Sequence, residues 1–269
     1  MYNFTFNIPT KIHFGKDTIS SLSELKAYGS KVLLVYGGGS IKKNGLYDTA
    51  MKILKDAGLT VFELSGVEPN PKIETVRKGV EICKNEGIDM VLAIGGGSTI
   101  DCSKVVAAGA KYDGDAWDLV LDGSKVKAAL PIFDVLTLSA TGTEMDPFAV
   151  ISDMSKNEKW GTGSPYMVPT MSILNPEYTF SVSKKQTAAG TADIISHICE
   201  NYFTNVKNAD VQARFAEGLL KNCFKYGPVA LEEPDNYDAR ANLMWTASMA
   251  INGMIQYGAE AVSYTHLTL

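Results

Sequence analysis

Three consecutive glycines, Gly95, Gly96 and Gly97, are followed by Ser98 and, three residues later, by Asp101. A short apolar run precedes them and an apolar-periodic segment follows, which predicts a strand, a turn and a helix start. Without Cβ atoms, the main chain of such a turn can approach a phosphate, and the helix N-terminus presents N–H groups and a positive dipole end. Ser98 and Asp101 could equally form a capping box at an ordinary turn, so both interpretations stay open.

A second glycine turn occurs earlier in the chain. A predicted buried strand, residues 31–36, ends at Gly37, Gly38, Gly39 and Ser40, and a segment with helical spacing follows. Parallel strands present their carboxyl ends at one edge of a sheet, where open α/β sheets bind ligands. Two anion-binding turns at one edge predict a nucleotide site, although neither matches the G-x-G-x-x-G pattern that places all glycines in one turn.

Hydroxyl side chains follow a third buried run, residues 132–138. Ser139, Thr141 and Thr143 lie within five residues of one another and precede Glu144. They could form a turn held by local side-chain hydrogen bonds, or they could donate to a pyrophosphate or ribose. The residues alone do not separate these alternatives.

Asp193 and His197 are four residues apart in a segment with helical spacing, so both project from one face and can reach a common point. A carboxylate with imidazole nitrogen suits Fe²⁺ or Zn²⁺ better than Mg²⁺ or Ca²⁺. An ordinary contact on a helix surface is the alternative. The chain has three histidines; His13 falls in a predicted edge strand, where we expect a structural role, and His266 lies near the end of the sequence.

The elements that position these residues alternate between strand and helix. Strands are predicted at residues 31–36, 59–64, 91–94, 132–138 and 171–174, two short edge strands between residues 4 and 14, and a hairpin-like stretch at 148–159 that completes the sheet. This order predicts an α/β fold with a parallel sheet and right-handed crossovers. Beyond Pro176 the pattern is helical, with helices at residues 184–202, 210–226 and 237–256.

Composition excludes several classes of protein. A net charge of −5 and the absence of a long Lys/Arg run argue against a nucleic-acid partner. The N-terminus lacks the pattern of a signal peptide, and no window approaches the ~20 apolar residues of a membrane span. We therefore expect a soluble, cytoplasmic protein. The four cysteines are widely spaced and should be reduced thiols.

Five motifs in this order resemble one family, the metal-dependent "iron-containing" alcohol dehydrogenases, and are most similar to its NADPH-dependent butanol dehydrogenase and aldehyde reductase branch. The motifs are the two glycine turns, Glu68-Pro69-Asn70-Pro71, Ala140-Thr141-Gly142-Thr143-Glu144 and Asp193-x-x-x-His197. The resemblance implies a dehydroquinate-synthase-like fold. It implies a Rossmann-like nucleotide-binding domain at residues 1–179, a truncated all-helical metal-binding domain at residues 180–269, and an active site between them.

The resemblance also implies roles for particular residues. Gly95, Gly96, Gly97 and Ser98 would bind the pyrophosphate, and the first turn the adenosine end. Asp101 is a further predicted cofactor-binding residue. The remaining predicted cofactor contacts are Asn70, Thr137, Thr141, Lys159 and Tyr178. NAD-preferring relatives often carry an aspartate in the first turn, whereas Gly39 and Ser40 stand here with two lysines following, which favours NADP(H). Hydride would pass between this cofactor and a primary alcohol or aldehyde whose oxygen is polarised by Fe²⁺ or Zn²⁺.

Asp193 and His197 would supply two ligands of that metal, which relatives complete with two further histidines. His266 falls close to the place of the third, but residues 261–269 do not look like the family's segment. Two alternatives follow: a catalytically incomplete nucleotide-binding fragment, and a polyol dehydrogenase or dehydroquinate-synthase-type lyase on the same fold. The helices should expose apolar side chains, and relatives of full length are expected to be homodimers.

Overall fold

Parallel strands build the main sheet of the computed structural model, which describes residues 3–256. The six strands are β1 (Lys11–Phe14), β2 (Lys31–Tyr36), β3 (Thr60–Leu64), β4 (Met90–Gly95), β5 (Ile132–Leu136) and β8 (Met171–Leu174). The numbers β6 and β7 belong to a hairpin that lies between β5 and β8 in the chain. The six strands are ordered β1–β8–β5–β4–β2–β3, and every pair is parallel. The predicted α/β fold class is confirmed.

Both faces of this sheet are covered, because its central strands are apolar at successive positions. On β2, Val32 and Leu34 pack into one core, and Leu33 and Val35 pack into the core on the opposite face. The alternation follows from the two-residue period of a strand. All of β4 is buried, so the turn that follows it is held at the centre of the sheet.

Helices connect the strands. A 3₁₀ helix spans Thr18–Ala27. The α-helices of this part are α1 (Ser40–Lys43), α2 (Leu46–Asp56), α3 (Ile73–Glu86), α4 (Gly97–Gly109) and α5 (Ala116–Leu121). The 3₁₀ helix and α2 cover one face of the sheet, and α3, α4 and α5 cover the other.

The prediction that the hairpin completes the sheet was wrong. Strands β6 (Phe148–Asp153) and β7 (Glu158–Gly163) form a separate antiparallel pair. They pack on the outside of the helical layer, where Ile151 enters its core and Thr162 donates a hydrogen bond to the carbonyl of Leu119 on α5. Of the two edge strands predicted between residues 4 and 14, only β1 is present.

Three long helices follow the sheet: α6 (Lys184–Tyr202), α7 (Asp210–Glu232) and α8 (Tyr237–Ile251). The predicted end of the second helix at Tyr226 was wrong, because α7 continues through Pro228 and packs Ala230 against α8. Helix α8 ends five residues before the predicted boundary. Exposed apolar side chains, as expected, include those of Val211, Phe215 and Phe224.

Helix α8 joins the helices to the sheet. Met244 packs against Ala93, Ile100 and Leu136, which belong to β4, α4 and β5. The four cysteines are unpaired thiols, as predicted. Within residues 3–256 we find no helix with both the length and the apolar character that crossing a membrane requires.

Candidate functional site

A cavity of about 270 Å³ lies between the carboxyl edge of the sheet, the β6–β7 hairpin and α6. Eight of the predicted site residues line it together: Asn70, Gly97, Ser98, Asp101, Thr141, Lys159, Asp193 and His197. Residues that are distant in sequence, from Asn70 to His197, thus share one concave surface. The structure brings the predicted phosphate turn and the predicted metal pair to the same cavity.

The two glycine turns are neighbours because β2 and β4 are paired, with Tyr36 opposite Ile94. Thr137 continues the next strand and donates its backbone N–H to the carbonyl of Gly95 at 2.9 Å. The predicted residues Gly37, Gly38, Gly39, Ser40, Gly95, Gly96 and Thr137 therefore lie along one sheet edge, although they do not line the cavity. A dinucleotide that spans both turns would follow this edge.

Helix α4 begins at Gly97 with its N-terminus open to the cavity. No side chain caps it, so the capping-box interpretation of Ser98 and Asp101 was wrong. The first N–H groups of a helix have no partner within it, and the dipole there is positive, so this end favours an anion. A Cβ at Gly97 would stand 2.6 Å from Thr141 Oγ1, which explains why the close approach of these segments requires glycine.

Asp101 acts within a polar network that braces this helix. Its Oδ1 accepts a hydrogen bond from Thr143 Oγ1 at 2.8 Å, and its Oδ2 accepts one from the backbone N–H of Val150 at 3.0 Å. Of the two interpretations of the hydroxyl cluster, local hydrogen bonding therefore holds for Thr143. Burial raises the pKa of Asp101 to about 6, and the positive charge of Lys104 opposes this increase.

Lys104 is the buried centre of the same network. Its fully buried Nζ lies within hydrogen-bond distance of Thr143 Oγ1, the carbonyl oxygens of Asp146 and Phe148, and Asp146 Oδ1, at 2.7 to 2.9 Å. One ammonium thus ties α4 to the loop after β5 and to the start of β6. Burial raises the pKa of Asp146, and Lys104 counteracts this by charge and by hydrogen bonding.

Asn70 joins the sheet edge to the β6–β7 hairpin. Its backbone is left-handed, with φ 55°, a conformation that asparagine tolerates. Its Oδ1 accepts a hydrogen bond from Lys159 Nζ at 2.8 Å, and its N–H donates to Ser98 Oγ at 3.3 Å. Three predicted cofactor contacts are therefore linked by hydrogen bonds at the mouth of the cavity.

Asp193 and His197 supply a carboxylate and an imidazole from one face of α6. Asp193 Oδ1 lies 3.9 Å from His197 Nε2, so both atoms can stand about 2.0–2.2 Å from one ion. The buried Nδ1 of His197 has no hydrogen-bond partner among the described residues. These donors fit part of a divalent-metal site. In residues 3–256, however, no cluster of three or more His, Cys, Asp or Glu side chains could hold a metal ion.

Two further carboxyl groups lie buried behind the cavity. Ser172 Oγ is 2.6 Å from Asp134 Oδ2 and 2.8 Å from the carbonyl oxygen of Glu144. A hydroxyl has one proton and a carbonyl only accepts, so protonated Asp134 satisfies both contacts. Burial raises the pKa of Asp134 well above its usual range and that of Glu144 to about 7. Ser248 of α8 bonds to Glu144, which joins the helices to the sheet.

One predicted cofactor contact, Tyr178, does not line the cavity. Tyr178 packs against the core beneath the sheet on the side of α2. His13 Nε2 lies 3.1 Å from Glu24 Oε1, which agrees with a structural role. His266 lies outside the described residues, so its assignment as a metal ligand stays a prediction.

Sequence reasoning missed two acidic residues that line the cavity, Asp146 and Glu200. Glu200 follows His197 by three positions and Asp193 by seven, so helical spacing could have placed it on the same face. Asp146 gave no local signal of its own. Lys104, which directly precedes the apolar run 105–108 of α4, was the available sign of a buried ionic partner.

Two family models match this chain. A family model described as "Iron-containing alcohol dehydrogenase" matches residues 9–176. A second, "Fe-containing alcohol dehydrogenase family, C-terminal", matches residues 187–268. The match includes residues 261–268, which the motifs alone had predicted to be unlike the family.

Individual relatives are similar along nearly the whole chain. The NADH-dependent butanol dehydrogenase B of Clostridium acetobutylicum is 59% identical over 99% of this chain and 69% of its own length. The NADPH-dependent aldehyde reductase YqhD of Escherichia coli is 42% identical over the same shares. The crystal structure of NADH-dependent butanol dehydrogenase A from Thermotoga maritima superposes with a TM-score of 0.94 at 46% identity, covering 97% of this chain and 66% of that one. The chain thus spans about two thirds of the length of these relatives.

Proposed function

We propose, since this chain belongs to the iron-containing alcohol dehydrogenase family, that it binds a nicotinamide dinucleotide along the two glycine turns and serves hydride transfer between this cofactor and a primary alcohol or aldehyde. The observation that carries the proposal is the shared cavity. The uncapped N-terminus of α4, the Asn70–Lys159 pair and the Asp193–His197 pair all face it.

Each part of the cavity has a distinct task in this proposal. The N-terminus of α4, with Gly97 and Ser98, would bind the pyrophosphate, and Lys159 would hydrogen-bond the ribose near the nicotinamide. Asp193 and His197 would hold Fe²⁺ or Zn²⁺. When bound, the ion acts as a Lewis acid on the substrate oxygen and stabilises the negative charge that develops as hydride is transferred.

The choice between NADP(H) and NAD(H) depends on the first glycine turn. The turn itself carries no carboxylate, so it can accept a 2′-phosphate, and Lys42 and Lys43 follow it. This supports NADP(H), the cofactor named for the E. coli relative. NAD(H) is the second candidate, since relatives with 59% identity are named NADH-dependent.

Binding titrations of the purified chain test the proposal. We expect saturable binding of NADPH or NADH, followed by fluorescence of the reduced nicotinamide, and binding of Fe²⁺ or Zn²⁺ by calorimetry. Asp193→Asn and His197→Gln should weaken metal binding at least tenfold while nucleotide binding persists. His13→Gln, remote from the cavity, is the matched histidine control.

A catalytically incomplete nucleotide-binding fragment is the alternative; the metal donors proposed within residues 3–256 are Asp193 and His197. Reduction of butyraldehyde with the metal-loaded chain separates the two functions. Turnover that depends on Asp193 and His197 supports the dehydrogenase, whereas cofactor binding without metal uptake or turnover supports the fragment. A chain that binds neither NADPH nor NADH would overturn both.

A further inference from the structure

Glu63 lies at the carboxyl edge of the sheet, beside the first glycine turn. It is the penultimate residue of β3, and its partner across the β2–β3 pair is Leu34. The chain after β3 is bound to the turn, because Gly66 donates its N–H to the carbonyl of Gly37 at 3.2 Å. The carboxylate is therefore fixed relative to the place where the adenosine end of the cofactor is proposed to bind.

Two tyrosine hydroxyls orient this carboxylate. Tyr36 donates to Glu63 Oε2 at 2.6 Å, and Tyr47 donates to Oε1 at 2.9 Å. The hydrogen bond from Tyr36 lowers the pKa of Glu63, although partial burial opposes this effect, so the group is ionised at neutral pH. A carboxylate has about four acceptor positions, so two of them remain available for further donors such as ribose hydroxyls.

Lys42, which follows the turn by two residues, is held by the same tyrosines. Its Nζ stands 4.9 Å from the centre of the Tyr36 ring and 4.4 Å from that of Tyr47, which are cation–π distances. The cluster of Tyr36, Lys42, Tyr47 and Glu63 therefore pairs one positive with one negative charge. The positive charge that would attract a 2′-phosphate is offset by a carboxylate on the next strand.

We infer that Glu63 is one determinant of the choice between the two cofactors at this site and acts in favour of NAD(H), against Lys42, a role that rests on the proposed nucleotide function. Dinucleotide sites in sheets of this type commonly place an acidic side chain about 20 residues beyond the glycine turn, where it accepts hydrogen bonds from the ribose hydroxyls and repels a phosphate. Here the carboxylate is missing from the turn but present on β3, and Lys42 opposes its effect.

Paired titrations with NADH and NADPH test this role in single variants. Glu63→Gln keeps the size of the side chain and removes its charge, so the affinity ratio of NADPH to NADH should rise about fivefold, the scale of one charge acting on a phosphate through solvent within a Debye length. Lys42→Met should lower the ratio by a similar factor. Tyr47→Phe, which removes one orienting hydroxyl, should raise the ratio less than Glu63→Gln does.

Glu81→Gln, on the exposed face of α3, is the matched control and should leave the ratio unchanged. If the effect of Glu63→Gln on the affinity ratio comes from its charge, the effect should shrink as the salt concentration is raised. A purely structural disturbance would not depend on salt in this way. If both cofactors bind but Glu63→Gln leaves their ratio as in the wild type, the role of Glu63 is overturned and the proposed function stands. If neither cofactor binds to the wild type, both are overturned.

Discussion

Replacement of Glu144 by glutamine should remove most of one pH-dependent contribution to stability. Glu144 is fully buried, and desolvation raises its pKa from 4.5 to about 7. The hydrogen bond from Ser248 and the charge of Lys104 oppose this increase, whereas the charge of Asp146 adds to it. One pKa unit corresponds to about 1.4 kcal/mol, so the gap corresponds to roughly 3 kcal/mol of folding free energy.

The sign follows from where the proton resides. Below pH 4.5 Glu144 is protonated in both the folded and the unfolded state, so its ionisation does not lower the free energy of unfolding. Between pH 4.5 and about 7 the unfolded state ionises while the folded state keeps its proton, so the free energy of unfolding falls as the pH rises. Above this range the full cost of a buried carboxylate is present.

Denaturant unfolding of the wild type and of Glu144→Gln at intervals from pH 5 to 8 measures this contribution. The difference in unfolding free energy between the two should change by roughly 2.5 kcal/mol across that range, in favour of the variant at high pH. Asp134 and Asp146 titrate in both proteins and largely cancel. A difference in unfolding free energy that stays constant with pH would refute the reasoning. The control is Glu81→Gln on the exposed face of α3, for which this difference should not change with pH.

Two other substitutions test the site at its buried contacts. Lys104→Met should lower the free energy of unfolding by about 3 kcal/mol in denaturant titrations, because Asp146 loses its buried partner; a loss below about 1 kcal/mol would contradict the assigned role. Gly97→Ala should weaken NADPH or NADH binding at least tenfold in fluorescence titrations, since its Cβ would collide with Thr141. Gly218→Ala, on the open surface of α7, is its control and should stabilise the chain by about 0.5–1 kcal/mol without affecting binding.

The sheet and its two glycine turns were predictable because their signals are local. A buried β2 or β4 is a short apolar run, and glycines directly after such a run are a strong sign that the strand ends in a turn. The same argument located the helices between the strands. It failed for the β6–β7 pair, because an alternating sequence predicts a strand but does not say which sheet the strand joins.

Errors in the helical region have a tertiary cause. Pro228 removes one backbone donor, which predicts a helix end, yet α7 continues because its last turns pack Ala230 against Ala239 and Leu243. Local preference was outweighed by packing that only the folded chain contains. The capping-box interpretation failed for a similar reason. Asp101 accepts hydrogen bonds from Thr143 and Val150, both more than 40 residues away in the sequence, instead of from its own helix N-terminus.

The buried network around Lys104 explains how the two halves of the cavity are held together. Helix α4 carries the proposed phosphate site at its N-terminus, and α6 carries Asp193 and His197; the loop after β5 lies against both, since Gly190 of α6 approaches the carbonyl of Ser139. Lys104 fixes that loop through Thr143 and Asp146. Loss of its ammonium should therefore weaken nucleotide and metal binding together, whereas Asp193→Asn should affect the metal alone.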